Sequence, residues 1–300
     1  HDQSRSGKVG AKQHRRRSGP GILRDVSQTT GQRRVVTVRE PSDRCARSQV
    51  TRNQDFNPDA ALARAVKHFW KTRSRQHASQ GTASGSKDVG MRGAVTGGKH
   101  ADGFVSMIAD IVKRAGLAET NVSYVGRGGR TLPGYFRPAK DWDLVVTSGD
   151  TLVAVVEVKS QVGSFGNNYN NRIEEALGNA TDFWKAYAKG LYAPSPQPWL
   201  GYLFMLEDAP GSRAAKREVL LKPFPIDAAF QRMSYAQRYQ ETCLRLVRER
   251  MYDAACFFLS SQTDGLSGKF VEPNAELSFR HFATSLSARA SAVANAQHKA

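Results

Sequence analysis

Apolar residues recur at helical spacing in two separate segments of the first half of the chain. One stripe follows Pro58 and predicts an amphipathic helix, and another begins at Asp102 and ends near Gly116, a residue suited to a helix C-cap. The polar stretch between these two stripes is rich in Gly and Ser, and it predicts a long flexible loop over residues 73–100.

Two runs of β-branched residues flank the turn residues 148–150, and this arrangement predicts a β-hairpin. The second run is apolar on both alternating faces, so it indicates a strand in the middle of a sheet that is covered on both sides. The alternation assigns Val153 and Val155 to one face. The other face receives Leu152, Ala154, Val156 and Val158.

The remaining pattern completes an α/β domain. A short strand is predicted at 121–125, a polar turn at 161–171, a helix at 171–190, a strand at 199–207, a helix at 235–250 and a strand at 254–259. The order over residues 102–207 is therefore α-β-β-β-α-β, a mixed sheet flanked by helices. The last forty residues are weakly patterned, and we expect the domain to span residues 55–260 with a tail over 261–300.

Charge is concentrated at the amino-terminal end of a strongly basic chain. The net charge is +17, and residues 1–54 hold 13 of the 44 Lys and Arg residues but only 4 of the 27 Asp and Glu residues. This composition predicts a disordered basic extension, and the overall charge favours a nucleic acid as partner.

Three scattered cysteines and the lack of a long apolar run argue against a disulfide-rich, zinc-finger or membrane protein. We expect a cytoplasmic protein.

The hairpin brings acidic and basic residues together near the end of its strands. Paired residue numbers in the hairpin sum to 299 or 300, which places Asp143 opposite Glu157 to within one register step, and Lys159 shares the face of Glu157. Two carboxylates at short range favour a divalent cation, and Mg²⁺ combines such ligands with substrate phosphate. A phosphodiester-hydrolysis site is one interpretation, and a salt bridge at a strand end is the other.

The letters around this site resemble a known family. The run WDLVV, a hairpin and AVVEVKS resemble the PD-(D/E)xK nuclease signature, and DGFVSMI, TLPGYFRPAKDWDLVV and SFGNNYNNRIEEA resemble the XhoI/PaeR7I family of type II restriction endonucleases. The resemblance implies that Asp143 and Glu157 bind Mg²⁺, that Lys159 is the catalytic lysine, and that Asp102 is a candidate accessory acid. For Asp102 the alternative is a helix N-cap.

The same resemblance implies a substrate and partners. It implies a homodimer that cleaves double-stranded DNA at a palindrome, expected to be 5′-CTCGAG-3′, in a prokaryotic cytoplasm where a DNA methyltransferase is the genetic partner. Two other interpretations stay open from the residues: a structure-selective repair or recombination nuclease of the same superfamily, and a basic DNA-binding protein without catalytic activity.

Candidate DNA contacts lie on both sides of the hairpin. Asn and Arg suit hydrogen bonding to adenine and guanine, and basic residues suit phosphates. As alternatives, the spacing of Asn171 and Glu174 is that of a capping box, Asn167 and Asn168 are common turn formers, and exposed basic residues are often only solvated. The candidates are Asn167, Asn168, Asn170, Asn171 and Arg172 after the hairpin, and Arg130, Arg137 and Lys140 before it.

Overall fold

The computed structural model describes residues 56–81, 100–118, 121–124 and 128–297. The predicted basic extension and residues 82–99 of the predicted loop lie outside these ranges. Residues 73–81 were also assigned to that loop, but they continue the first helix, α1 (Pro58–Gly81). The loop prediction is wrong there because the apolar stripe marks only the part of a helix that packs on the core, and polar residues can extend it into solvent.

A mixed five-stranded sheet forms the centre of the domain. Its strands, in their order across the sheet, are β1 (Val122–Ser123), β4 (Leu144–Ser148), β5 (Thr151–Gln161), β6 (Trp199–Glu207) and β7 (Ala254–Ser260). The strand β5 is antiparallel to β4 and parallel to β6, and β6 is parallel to β7. The position of β5 in the middle of the sheet confirms the prediction from its two apolar faces.

Helices cover both faces of this sheet and give two hydrophobic cores. The helices α1, α2 (Asp102–Arg114) and α7 (Phe279–Gln297) share one core with the sheet, and α3 (Phe165–Ala188) and α5 (Tyr235–Arg248) share the other. Two short helices, α4 (Pro210–Arg213) and α6 (Gln262–Gly265), lie in the connections. The predicted α/β class and element order are confirmed. No helix in the described part of the chain is long and apolar enough to cross a bilayer.

A second, two-stranded sheet was not predicted. It consists of β2 (Thr131–Pro133) and β3 (Ala139–Asp141), which pair antiparallel between β1 and β4 in the chain. Its strands have three residues each, and all of these residues are exposed or half-buried. Three residues are too few to show the two-residue alternation of a strand, so the sequence indicates only a loop here.

The main hairpin has the predicted register with one irregularity. Leu144 lies opposite Val156, and the register shifts between the pairs Val146↔Ala154 and Thr147↔Leu152. Val153 is therefore an extra residue on β5, and it packs in the core with Ala154 rather than on the face of Val155. The predicted face assignment of the strand's first residues is wrong because a β-bulge interrupts strict alternation.

The helix α3 begins six residues earlier than its predicted start. Phe165 and Tyr169 pack against the aromatic rings of α5, at 6.4 Å from Tyr235 and 5.0 Å from Tyr239 between ring centroids. This apolar spacing is helical, but five polar or glycine residues surround it in the sequence and mask it. Asn171 therefore lies inside a helix, and its interpretation as a helix cap is wrong, as is the turn assigned to Asn167 and Asn168.

The carboxyl-terminal segment packs into the domain. The predicted domain ends at residue 260, yet α7 buries Phe279, Phe282 and Leu286 completely in the core shared with α1 and α2. Much of the buried stripe of α7 beyond Leu286 is alanine, including Ala290 and Ala294. Alanine gives a weak hydrophobic signal, which is why this helix was not predicted.

Candidate active site

The two acidic residues of the hairpin meet as the register predicts. The ladder pairs Leu144 with Val156, and the next step brings Asp143 opposite Glu157. Asp143 lies just before β4, and its Oδ2 accepts a hydrogen bond of 2.7 Å from the backbone N–H of Val158. A backbone donor from the neighbouring strand thus fixes the orientation of the Asp143 carboxylate beside Glu157.

Glu157 is a buried carboxylate with positive partners on two sides. Its side chain is 1% exposed and forms an ion pair with Lys159, which lies on the same face of β5. The Nζ of Lys140 lies 3.2 Å from Oε1 and 3.0 Å from Oε2 of Glu157. The Nδ2 of Asn179 donates a further hydrogen bond of 3.4 Å to Oε1. A buried charge is tolerated here because it is paired and hydrogen-bonded.

These contacts shift the ionisation of the three central groups in different directions. Burial by itself would raise the pKa of Glu157, but Lys159 and Lys140 outweigh burial and hold that pKa below its usual value. Burial, with the added charge of Glu157, raises the pKa of Asp143. Burial acts to lower the pKa of Lys159, yet Glu157 and Asp143 raise it, so Lys159 stays an ammonium at neutral pH.

A row of polar residues on α3 extends from this cluster. Arg172, Glu175, Asn179 and Asp182 recur at helical spacing, and the last two are buried, at 7% and 5% exposed. The charge of Glu175 acts on Lys159, and Asn179 donates to Glu157. Asn179 and Asp182 were not among the predicted site residues, although polar residues at the spacing of an inward helix face are a usable signal for a buried site.

The three basic candidates before the hairpin all form hydrogen bonds with other groups of the protein. Arg137 donates through Nε to Oδ2 of Asp182 at 2.8 Å and through Nη2 to Oδ1 of Asn179 at 3.0 Å. Lys140 bonds Glu157 and lies 4.5 Å from the centroid of the Trp142 ring. Arg130 donates to the carbonyl oxygen of Trp142 at 3.1 Å. The structure thus gives Arg137 and Lys140 places in the polar network around the carboxylates.

The candidates after the hairpin divide between two sides of α3. The side chains of Asn167, Asn170 and Asn171 are exposed, whereas Asn168 is half-buried and donates to the carbonyl oxygen of Ser164 at 3.3 Å. Arg172 is 22% exposed and forms an ion pair of 2.5 Å with Glu175. The exposed asparagines have the spacing of one helix face, and Arg172 lies on the side of Glu175, whose charge acts on Lys159.

Asp102 is separate from this cluster. It is the first residue of α2, it follows the N-cap residue Ala101, and so its interpretation as the N-cap is wrong. Its exposed side chain lines a groove of about 410 Å³ between α1 and α2, together with His68 and Asp110. Within the described ranges, no three His, Cys, Asp or Glu side chains form a possible metal-binding group, so Asp102 is not brought to the pair of carboxylates.

Comparison with known proteins identifies the family. The family model of the restriction endonuclease XhoI matches residues 80–272, which include the whole candidate site. The chain belongs to the XhoI family of type II restriction endonucleases. The resemblance seen in the hairpin and in the start of α3 is thereby confirmed.

Three named relatives of this XhoI family member are type II restriction enzymes. BstVI of Geobacillus stearothermophilus is 45% identical over 211 residues, 68% of this chain and 92% of the relative. XhoI of Xanthomonas vasicola is 42% identical over 193 residues, 62% of this chain and 74% of the relative. AbrI of Azospirillum brasilense is 44% identical over 155 residues, 51% of this chain and 68% of the relative. No solved structure matches the chain.

Proposed function

We propose that this protein is a Mg²⁺-dependent endonuclease that hydrolyses double-stranded DNA at a specific palindrome, expected to be 5′-CTCGAG-3′. The observation that carries the proposal is the apposition of Asp143 and Glu157 with Lys159 at the end of a central hairpin, in a member of the XhoI family. Membership of this family favours a restriction endonuclease over a structure-selective nuclease. The carboxylate pair favours an enzyme over a binding protein without catalysis.

The donor set fits a divalent cation. Asp143 and Glu157 supply carboxylate oxygens, the ligands that Mg²⁺ prefers, and two such residues suffice when substrate phosphate completes the coordination. Asp143 accepts one backbone N–H bond, and burial next to Glu157 raises its pKa, so added positive charge beside it would be stabilising. A bound cation would polarise the scissile phosphate and acidify an attacking water.

The protein's own residues supply the positioning and the remaining charge. Lys159 is held as an ammonium on the face of Glu157, where it can stabilise negative charge that develops on the phosphate. Asn179 and Lys140 hold the Glu157 carboxylate in one orientation through hydrogen bonds. In this role they are positioning residues, since their contacts are with Glu157 rather than with the reacting atoms.

Recognition of the DNA sequence is proposed for the first turns of α3. The exposed amides of Asn167, Asn170 and Asn171 share one helix face, and an amide can bond the edge of adenine in the major groove. The helix follows directly after β5, which carries Lys159, so this face adjoins the cleavage site. A palindrome presents the same contacts twice, and this supports a homodimer.

The biological setting follows from cleavage at a specific site. An enzyme with this activity acts in the prokaryotic cytoplasm and needs a DNA methyltransferase with the same specificity as its genetic partner, because unmodified host DNA would also be cut. Protection of the host DNA requires no contact between the two proteins.

Digestion of plasmid DNA tests the proposal. We expect the wild-type protein with Mg²⁺ to cut a plasmid carrying CTCGAG into discrete fragments, and we expect Asp143→Asn and Glu157→Gln to lower the rate by about 100-fold or more. These variants keep the size of each side chain and remove its charge. The matched control is Asp150→Asn, which makes the same kind of change at an exposed residue. Asp150 lies in the turn at the other end of the same hairpin.

Each outcome separates the alternatives. Fragment ends that all lie within one sequence support the restriction endonuclease, whereas nicks at junctions or flaps indicate the structure-selective nuclease. Intact DNA that is retarded in a gel indicates a binding protein. Near wild-type cleavage by either site variant would remove that residue from the metal site.

A further inference from the structure

The tip of the β2–β3 hairpin exposes two adjacent aromatic rings. Tyr135 is 45% exposed and Phe136 is 68% exposed, and their ring centroids lie 4.9 Å apart in an edge-to-face arrangement. Large apolar side chains in solvent are costly, and a pair of them on one tip is a common sign of a binding surface. The strands β2 and β3 that carry this tip contain no fully buried residue.

A buried carboxylate holds this tip in place. Oδ1 of Asp182 accepts the backbone N–H of Tyr135 at 2.8 Å and that of Phe136 at 2.7 Å, and its Oδ2 accepts Nε of Arg137 at 2.8 Å. Burial acts to raise the pKa of Asp182, but these three donors outweigh burial and lower it, so the carboxylate stays ionised. Its charge therefore keeps the two backbone groups fixed at neutral pH.

Close packing at Gly134 also restricts the tip. A Cβ on Gly134 would lie 2.5 Å from Oδ2 of Asp182 and 2.7 Å from the carbonyl oxygen of Arg137, so only glycine fits against the carboxylate. On the preceding residue, the carbonyl oxygen of Pro133 accepts the hydroxyl of Tyr192 at 2.9 Å. The protein thus uses several internal contacts to present two exposed rings in a defined position.

The same contacts connect the tip to the catalytic carboxylates. Arg137 bonds Asn179 at 3.0 Å, and Asn179 bonds Glu157 at 3.4 Å, so only these two hydrogen bonds separate Arg137 at the tip from Glu157. The ammonium of Lys185 lies 5.6 Å from the centroid of the Tyr135 ring. A cation thus lies beside one of the two rings, and two hydrogen bonds link the tip to the carboxylate of the proposed cleavage site.

We propose that the Tyr135–Phe136 tip is a DNA-contacting element, which packs its rings against bases or sugars beside the cleaved phosphate. The inference rests on the proposed function. Duplex DNA offers sugars and apolar groove edges within a negatively charged backbone, and apolar side chains can also insert between base steps. Two exposed aromatic rings with a lysine ammonium beside one of them match this surface. The rigid attachment to Asp182 then sets the distance between this apolar contact and the carboxylate pair.

The test compares DNA binding by the full chain and by Phe136→Ala over a range of salt concentrations. We expect the affinity for a CTCGAG duplex to fall by about tenfold or more, since the variant loses the apolar surface that the Phe136 ring would bury against the DNA. The slope of log K against log salt should stay unchanged, because no phosphate contact is lost. Phe136→Tyr should bind like the wild type, and Val271→Ala, an exposed apolar residue on another segment, is the control.

The outcomes distinguish this inference from the function on which it rests. Failure of the wild-type protein to bind or cut any duplex would refute the proposed function itself. A wild type that binds normally and a Phe136→Ala variant of equal affinity would overturn the role of the tip. If Phe136→Ala instead separates a dimer into monomers while each monomer keeps its DNA affinity, the tip contacts a second copy and the inference is wrong.

Discussion

At the scale of single residues, the balance of charge around Glu157 is the feature with the clearest consequences. Lys140 contacts both oxygens of this carboxylate, and its ammonium also bonds the carbonyl oxygen of Asp141 at 3.2 Å. Its side chain is 13% exposed, so the contact is partly shielded from solvent. Lys140 thus neutralises a carboxylate that we assign to a divalent cation. The Lys140 ammonium and the cation would therefore compete for Glu157.

Replacement of Lys140 by Met tests this competition. Lys140→Met keeps the chain over the Trp142 ring but removes one charged partner of a buried carboxylate, which we expect to lower the free energy of unfolding by about 1–3 kcal/mol without metal. Mg²⁺ should then stabilise the variant more than the wild type. Urea unfolding with and without Mg²⁺ measures both effects.

The control for this experiment is Lys269→Met. Lys269 pairs with Asp264 on the surface, where both side chains are largely exposed, so the change should cost less than about 1 kcal/mol. If Lys140→Met unfolds at the wild-type urea concentration and responds to Mg²⁺ equally, the two positive groups do not share Glu157.

At the scale of elements, α3 carries three rows of side chains with different surroundings. Its apolar row, which includes Phe165 and Tyr169, packs on α5, and its buried polar row, which includes Asn179, contacts the Glu157 carboxylate. Its exposed row contains Asn167 and Asn170. One helix therefore links the core, the carboxylate pair and the proposed recognition surface, so its placement sets the distance between recognition and cleavage.

This arrangement predicts different effects for two neighbours on α3. Asn170→Ala should weaken binding to the cognate duplex, by about 1–3 kcal/mol, more than binding to other sequences, because an exposed amide is free to bond a base. Arg172→Ala should lower affinity on all sequences to a similar degree, since Arg172 is paired with Glu175 beside Lys159. Affinities for the cognate duplex and all its single-base variants decide between these effects.

Gln262→Ala serves as the control, because Gln262 is an exposed amide at the start of another helix, α6. A uniform loss for Asn170→Ala across the panel would assign Asn170 to the phosphates. If Arg172→Ala instead relaxes the base preference at one symmetric pair of positions, Arg172 contacts a base.

In the whole molecule, helices pack on both faces of the central sheet, and α7 completes the helical layer on one face. Phe282 of α7 is fully buried, and its ring centroid lies 5.2 Å from that of Trp199 on β6. We expect Phe282→Ala to lower the free energy of unfolding by about 3–5 kcal/mol. Phe224→Ala should change it little, since Phe224 is 81% exposed.

Thermal and urea unfolding of both variants measures this difference. A Phe282→Ala protein as stable as the wild type would mean that the segment beyond residue 260 folds apart from the sheet, as the weak sequence pattern suggested.

The elements with a strong local pattern could be predicted from the sequence alone. The strands β5 and β6 were predicted because their long apolar runs are typical of buried strands. The turn at 148–150 predicted the register that brings Asp143 opposite Glu157. The family could likewise be recognised from short runs of letters, because it depends on residue identity at the site rather than on packing.

Features that depend on contacts between distant segments could not be predicted in this way. The early start of α3 depends on aromatic rings of α5, the burial of α7 depends on a stripe made largely of alanine, and the β2–β3 hairpin depends on Asp182 from another element. Lys140, Asn179 and Glu157 are far apart in the chain, and only folding brings their polar atoms within hydrogen-bonding distance. Local patterns cannot encode such pairings, because the partners lie outside any short window of sequence.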